Sequence, residues 1–306
     1  MDWSLLIDRS VLALTLVVAT PVLLAALGEL VIERSGVLNV AIEGMMALGA
    51  AVGFLGAYLS GSNLVGVLAA MAAAALLGLV LGYACITLRA PQLTVGLALF
   101  VLAVGLSSLL YRLVVGLQFV PPQIATYGSD PAAGGAGWLL GLPGPVYIML
   151  LATVLTHALL FYTPWGLRIR ASGENPRAAE SQGVSVFAIR YAALLAGSAL
   201  IGAGGALLPM MLTGTYTDMM VGGRGWIALM LVILGRWTPL GVLLGGLLFG
   251  YVEALQYSLL LKVRFIPSQF LLMVPYLFVV LVAIRAYRGA QAPQALMKPY
   301  DRELRA

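Results

Sequence analysis

The chain has 306 residues, of which 61% are hydrophobic and 9% are charged, and its formal net charge is +5. With a mean hydropathy of +1.01, this composition excludes an ordinary soluble globular protein and indicates a membrane protein with several spans. Most of the basic residues lie between apolar runs or near the carboxyl terminus, where they set orientation in the membrane, so we do not expect a nucleic acid partner.

The apolar runs are close to the roughly 20 residues that a helix needs to cross a hydrocarbon core of about 30 Å, and they lack the alternating pattern of barrel strands. We therefore predict an all-α polytopic membrane bundle that forms a single transmembrane domain over residues 1–286. In the first half of the chain, the predicted spans are residues 10–28, 36–58, 64–88, 91–111 and 146–162.

Polar residues follow the first span and interrupt the second. Glu33 and Arg34 come after the first span and indicate an aqueous boundary there. Asn39 and Glu43 lie inside the predicted second span, one helical turn apart, so we expect them to share one helix face.

A loop over residues 163–190 is the only long polar interruption between apolar runs, and its four arginines predict a cytoplasmic position. Asn175 suits the N-cap of a helix, Pro176 its first position and Gly183 the residue just past its end. The sequence thus predicts a short helix over residues 176–182, with the small side chains of Ala178 and Ala179 exposed so that another protein can approach closely. The alternative is a solvated interhelical loop.

In the second half, residues 191–213 form the next predicted span. Only eleven residues separate Arg224 from Arg236, too few for a full crossing. The glycines before them predict non-helical backbone completed by a half-helix over residues 226–234. Two further spans, at 240–260 and 267–284, bring the total to about nine, and the tail 287–306 is predicted to be cytoplasmic with a poorly ordered end. Trp165, Trp226 and Trp237 lie near predicted interfaces, where tryptophan commonly anchors a membrane protein.

This topology places 12 of the 17 lysines and arginines on the inside, with an outer amino terminus and an inner carboxyl terminus. Residues 33–49 and 222–235 resemble each other loosely in their order of Arg, Gly and apolar residues. This similarity favours an inverted repeat around a site in the middle of the membrane, although glycine-rich apolar sequence also produces such matches by chance.

Glu43 and Glu253 are carboxyl groups within predicted spans, where a functional role is the default hypothesis. They would orient a polar solute or relay protons, or else tie two helices together as paired carboxyls. Gln92 and Thr94 at the start of the fourth span, and Gln256 near Glu253, extend the polar set.

The sequence has no motif for catalysis. It lacks a Walker sequence, HExxH, a Cys cluster and a Ser, His and Asp set, and Cys85 and His157 are each the only residue of their type. We therefore expect a non-catalytic subunit that carries no cofactor or metal.

Four long segments, residues 28–50, 173–207, 225–256 and 266–282, resemble the permease subunits of bacterial ATP-binding-cassette (ABC) importers for nucleosides and simple sugars, which are related to branched-chain amino acid and ribose permeases. The resemblance covers nearly the whole chain and is strongest for the nucleoside branch. It implies a fold like that of type II ABC importers and a bacterial inner membrane location.

This resemblance also implies partners. These are a second homologous permease, ABC ATPase subunits that bind ATP and Mg²⁺, and a periplasmic or lipoprotein solute-binding protein, around a small-molecule solute and membrane lipid. The short loop helix would then fit a groove in the ATPase. Its candidate coupling residues are Glu174, Asn175, Pro176, Arg177, Ala178, Ala179, Gln182 and Gly183.

The candidate residues of the solute pathway are Asn39, Glu43, Gln92, Thr94, Phe100 and Glu253. Where nucleoside-type relatives often carry an asparagine pair around LAL in the fourth span, this chain has Gln92 before the run and Phe100 directly after it. Phe100 either stacks on a base or packs against another helix. The expected solute is a nucleoside or a related heterocycle; the alternatives are a simple sugar, a flavin, or an ion-coupled secondary transporter in place of an ABC importer.

Overall fold

The computed structural model describes residues 9–116, 118, 120–128, 141–262, 267–286 and 291–301. Within these ranges the secondary structure is helical, with no strand. Seven helices are long and apolar enough to cross a membrane, and two shorter apolar helices, Arg224–Leu234 and Gln269–Val282, accompany them. This arrangement confirms the predicted all-α polytopic bundle.

The helices are numbered in chain order. Their bounds are α1 Arg9–Arg34, α2 Ile42–Ser60, α3 Asn63–Gly82, α4 Gln92–Val115, α5 Gly144–Tyr162, α6 Pro164–Glu174, α7 Pro176–Ser181, α8 Val186–Leu208, α9 Arg224–Leu234, α10 Pro239–Lys262 and α11 Ser268–Ala286. One π-helical turn each extends α3, over Tyr83–Thr87, and α8, over Pro209–Thr213.

The core lies where α8 packs against α1, α2 and α3. Glycine permits this packing, because a Cβ atom on Gly28 would lie 2.3 Å from the carbonyl oxygen of Gly197, and one on Gly49 would lie 2.5 Å from that of Gly202. Small residues that let backbones meet are the usual means of holding membrane helices together.

The turn between α1 and α2 differs from the prediction. Helix α1 continues to Arg34, beyond the predicted end of the span at residue 28, and Glu33 is only 1% exposed. Burial within the protein does not test the aqueous boundary at Glu33 and Arg34, which stays a prediction. Helix α2 begins only at Ile42, so Asn39 does not share a helix face with Glu43. The reason is tertiary: the buried carboxylate of Glu29 accepts hydrogen bonds from the backbone and the side-chain amide of Asn39, both at 3.1 Å, in place of helical partners.

The polar loop contains two helices, of which α7 was predicted. Its N-cap is Asn175, whose Oδ1 accepts the backbone N–H of Ala178 at 3.1 Å, and Gly183 follows its end with a φ of 79°. Helix α6 was not predicted, although Thr163 before Pro164 is an N-cap signal, and its hydroxyl accepts the N–H of Gly166 at 3.1 Å.

One predicted feature of α7 is wrong. Ala178 is exposed, but Ala179 is only 5% exposed because it packs with Val186 and Tyr300. The partner is the carboxyl-terminal tail, whose residues 291–301 lie against the loop. The tail end that was predicted to be poorly ordered, residues 302–306, lies outside the described residues, as do residues 287–290.

Candidate functional site

The predicted half-helix is present as α9, preceded by a non-helical segment over residues 214–223. Gly223 has a φ of 88° directly before the helix begins at Arg224. The first N–H groups of a helix have no partner within it and carry a partial positive charge, so an acceptor must come from elsewhere.

Glu43, in the first turn of α2, supplies that acceptor. Its Oε1 accepts the N–H of Gly223 at 2.8 Å and its Oε2 accepts the N–H of Gly225 at 2.7 Å. A Cβ atom on Gly225 would lie only 2.5 Å from Glu43 Cα, so the close approach of α2 and α9 requires glycine there. Glu43 therefore caps α9 across the helix interface.

Glu253, on α10, reaches the same end of α9. Its Oε1 lies 2.6 Å from Nη2 of Arg224, and the two side chains are only 7% and 15% exposed. Arg224 also donates to the carbonyl oxygen of Val221 at 3.2 Å, and the Tyr276 hydroxyl donates to that of Gly222 at 2.9 Å. The two carboxyl groups that the sequence singled out thus meet at the beginning of α9.

The other predicted polar residues divide into two groups. Gln92 is buried, and its side-chain oxygen accepts the N–H of Leu38 at 2.7 Å, so it binds the same segment before α2 in which Asn39 lies. Thr94 is exposed on α4, and Gln256 is buried on α10. Asn39 and Gln92 therefore act at the segment before α2, whereas Glu43 and Glu253 act at the beginning of α9.

The segments before α2 and α9, which the predicted repeat relates, share one feature. Each is non-helical backbone with one N–H group that donates to a buried carboxylate, Asn39 to Glu29 in the first case and Gly223 to Glu43 in the second. The inverted repeat stays a prediction. If it is real, these two carboxylate-bound segments occupy equivalent positions in its two halves.

Two aromatic rings lie beside the α9 cap. The rings of Phe100 and Trp226 meet edge to face, with centroids 5.7 Å apart, and both side chains are half-buried. Trp226 directly follows Gly225, whose N–H binds Glu43. The sequence alone predicts membrane anchoring for Trp226 and gives no local signal of this pairing, because the two rings lie 126 positions apart.

Trp237 also differs from its predicted anchoring role. It is 4% exposed, its indole N–H donates to Glu33, and its carbonyl oxygen accepts Nε of Arg34 at 2.7 Å. Trp165 is 54% exposed on α6, with the Arg168 guanidinium 5.7 Å from its ring centre.

At the other end of α4, an exposed ion pair holds the segment before α9. Asp218 accepts the Ser108 hydroxyl at 2.7 Å and Nη2 of Arg112 at 3.0 Å. These two hydrogen bonds, with the one from Ser108 dominant, hold the pKa of Asp218 below its ordinary value. The segment is thus tied to α2, α4, α10 and α11.

The second candidate site, the coupling surface, lies at the other end of the bundle from Asp218. Of its predicted residues, Ala179 is buried and Pro176 is half-buried. The rest are exposed; they are Glu174, Asn175, Arg177, Ala178, Gln182 and Gly183. Among the described residues, no group of three or more His, Cys, Asp or Glu side chains could hold a metal ion.

Comparison with known proteins gives relatives over almost the full chain. The chain is 34% identical over 305 residues to the guanosine ABC transporter permease protein NupQ of Bacillus subtilis (strain 168), with 94% of each chain covered. It is 31% identical to the nucleoside ABC transporter permease protein NupC of Lactococcus lactis subsp. cremoris, covering 93% of this chain and 94% of the relative. It is 32% identical to the putative glucose ABC transporter permease protein TsgC13 of Haloferax volcanii, covering 95% and 97%.

No solved structure matches the chain significantly. A family model described as the branched-chain amino acid transport system / permease component matches residues 11–283. That range contains α9, its carboxylate cap and the loop helices. The chain is a multi-pass membrane protein and belongs to this family of transport-system permease components.

Proposed function

We propose that this permease component carries nucleosides or related heterocycles into the bacterial cytoplasm as the membrane subunit of an ABC importer. Two relatives that match nearly the whole chain are a guanosine and a nucleoside ABC transporter permease. The structural observation that supports this proposal is α7, a capped helix of six residues that lies outside the predicted spans and exposes Ala178.

In this proposal the protein lies in the inner membrane with its carboxyl terminus in the cytoplasm. Contacts among basic residues that the topology places inside support this orientation. Arg34 lies 3.9 Å from Glu174 at the end of α6, and Arg190 donates to the carbonyl oxygen of Lys298 at 3.4 Å. One end of the bundle thus gathers the positive charge, as the inner face of a membrane protein does.

The proposed partners are a second homologous permease, ABC ATPase subunits and a periplasmic or lipoprotein solute-binding protein. ATP and Mg²⁺ are bound by the ATPase, and this chain supplies the path for the solute. ATP-driven movement of the ATPase shifts α7 and biases the spans between outward-open and inward-open states. Transport follows when solute affinity differs between those states.

The test of coupling is Ala178→Trp. A large side chain on the exposed face of α7 is expected to weaken docking of the ATPase by about 30-fold, equivalent to the roughly 2 kcal/mol typical of a central interface residue. ATP-dependent uptake should fall correspondingly while the spans stay folded. Uptake is measured in membrane vesicles, and ATPase association by co-purification of the co-expressed subunits.

Two controls accompany this variant. Ala178→Ser is nearly the same size and should keep uptake, and Ala72→Trp places the same ring at an exposed position of α3. Ala179→Trp is not a suitable probe, because Ala179 is buried and the ring would disrupt packing. Normal uptake by Ala178→Trp would refute the docking role of α7.

For the solute path, we propose that Phe100, Trp226 and Thr94 contact the solute. Asn39, Gln92, Glu43 and Glu253 hold the backbone that lines the path. The edge-to-face pair of half-buried rings supports this assignment, since aromatic faces bind nucleobases by stacking.

Replacing Trp226 by alanine is expected to raise the half-saturating nucleoside concentration by about 5- to 150-fold, the equivalent of the 1–3 kcal/mol measured for stacking of one base. Trp226→Phe keeps an aromatic face and should retain most of the affinity. Competition by purine nucleosides against labelled guanosine uptake measures both. Equal affinities for wild type and Trp226→Ala would remove this residue from the path.

A simple sugar is the second candidate solute, favoured by the similarity to the putative glucose permease TsgC13. A sugar has no π-face on which the stacking argument depends. Uptake of labelled glucose that free guanosine fails to inhibit would select the sugar over the nucleoside.

A further inference from the structure

Helix α7 is too short to hold its own position. It has six residues, whereas isolated helices below about 12–15 residues are marginal in water. Its place relative to the spans must therefore come from tertiary contacts. The described residues show where those contacts originate.

The carboxyl-terminal tail, residues 291–301, contacts the loop just before α7. The backbone N–H of Ala295 donates to the carbonyl oxygen of Gly173 at 2.8 Å. The backbone N–H of Gln294 donates to Oε2 of Glu174 at 3.4 Å. Both partners belong to the last turn of α6, so the tail fixes the residues from which α7 starts.

Tyr300 contacts α7 itself. Its hydroxyl donates to the Glu180 carboxylate, and its ring is 9% exposed in a cluster with Ala179 and Val186. The ring centre also lies 5.9 Å from that of Phe187 in the first turn of α8. One tail side chain thus joins α7 to the beginning of the next span.

Two further contacts anchor the tail to the spans. Arg190 of α8, which is 2% exposed, donates to the carbonyl oxygens of Ser35 at 3.2 Å and Lys298 at 3.4 Å, linking the tail to the turn after α1. Asp301 lies 2.6 Å from Nη1 of Arg89, in the turn between α3 and α4. The tail therefore connects α7 with the turn after α1 and with the turn between α3 and α4.

We propose that residues 291–301 are a brace that sets the position of α7 relative to the membrane spans, with Tyr300 as the positioning residue. The brace holds the loop before α7, packs on α7 and is anchored on Arg89 and Arg190. Resting on the proposed function, the brace also determines how movement of α7 reaches the α3–α4 and α1–α2 turns.

The test measures the position of α7 in the full chain, reconstituted in lipid nanodiscs. In a Cys85→Ala background, spin labels are attached through Ala178→Cys on α7 and Leu64→Cys, which is 64% exposed at the beginning of α3. Pulsed electron paramagnetic resonance gives the distribution of distances between the labels. A single narrow peak is expected with the tail intact.

Tyr300→Ala is expected to abolish that narrow peak, whereas Tyr300→Phe keeps the buried ring and should retain it. Gln291→Ala changes an exposed tail residue and serves as the matched control. Asp301→Arg places two like charges together at Arg89 and should broaden the peak, and adding Arg89→Asp should restore it. Helical content by circular dichroism shows whether each variant has folded. If Tyr300→Ala does not fold, Asp301→Arg with and without Arg89→Asp tests the same proposal.

A narrow peak that persists in both Tyr300→Ala and Asp301→Arg would overturn the brace. ATP-dependent uptake by the assembled transporter is measured separately for the same variants. The transporter that carries Tyr300→Ala is expected to lose uptake while its ATPase subunits still hydrolyse ATP. A broadened peak with normal uptake would leave the brace standing and count against α7 as the coupling element, so the two proposals fail on different measurements.

Discussion

Replacing Glu253 by alanine is expected to lower the free energy of unfolding by about 3–5 kcal/mol, the usual cost of leaving one partner of a buried ion pair without the other. The Arg224 side chain is only 15% exposed, and its Nη2 lies 2.6 Å from the carboxylate. Without Glu253, the guanidinium loses its carboxylate partner and keeps hydrogen bonds to backbone carbonyl oxygens, among them that of Val221 at 3.2 Å. Chemical denaturation in a fixed detergent measures the loss.

The matched control is the double variant Arg224→Met with Glu253→Leu. Replacing both charges by apolar side chains of similar volume is often neutral, because the desolvation cost of the pair offsets much of its attraction. We therefore expect the double variant to be more stable than Glu253→Ala alone. A double variant as unstable as the single one would mean that packing at α10, and not the unpaired charge, sets the cost.

This ion pair also has a consequence for transport. Arg224 is the first residue of α9, and Glu253 lies in the middle of α10, so the pair fixes the beginning of the half-helix against a full span. Irregular backbone at membrane depth persists only where its surroundings hold it. Loss of the pair should therefore reduce uptake even at temperatures where Glu253→Ala stays folded.

The elements that sequence analysis predicted correctly are those that local signals determine. Asn175, Pro176 and Gly183 specify α7 by cap, first helical residue and terminating residue, and the structure shows each in that role. The half-helix α9 is predicted from the small number of residues between Arg224 and Arg236. Counting them requires no knowledge of the rest of the fold.

The errors concern residues whose surroundings come from distant parts of the chain. Asn39 is outside α2 because a carboxylate ten positions earlier binds its backbone, and Trp237 is buried because Glu33 accepts its indole N–H. Ala179 is buried because Tyr300, 121 positions later, covers it. A polar tail with no periodic pattern gives no sign in the sequence that it folds back.

The candidate site follows the same rule. Glu43 and Glu253 were identified because a carboxyl group in an apolar run is conspicuous by itself. That both reach α9, one through its N–H groups and one through Arg224, depends on the packing of α2 and α10 on α9. Sequence reasoning therefore found the residues without finding what they bind.

Glu43→Ala is expected to destabilise the protein by about 2–6 kcal/mol, because each of two N–H groups loses its acceptor at a cost of about 1–3 kcal/mol. The groups are those of Gly223 and Gly225, at 2.8 and 2.7 Å from the carboxylate oxygens. The loss should be concentrated at the beginning of α9, where hydrogen exchange of the α9 amides would become faster before the rest of the bundle opens.

Glu43→Gln separates the acceptor from the charge. The amide oxygen can accept one N–H, but the amide nitrogen is a donor and faces the second N–H, so about half of the destabilisation should remain. The expected order of uptake is wild type, then Glu43→Gln, then Glu43→Ala, in step with protection of the α9 amides. If Glu43→Gln lost uptake completely while its α9 amides stayed as protected as in the wild type, the carboxylate would act on the solute or on a proton and not as the cap of α9.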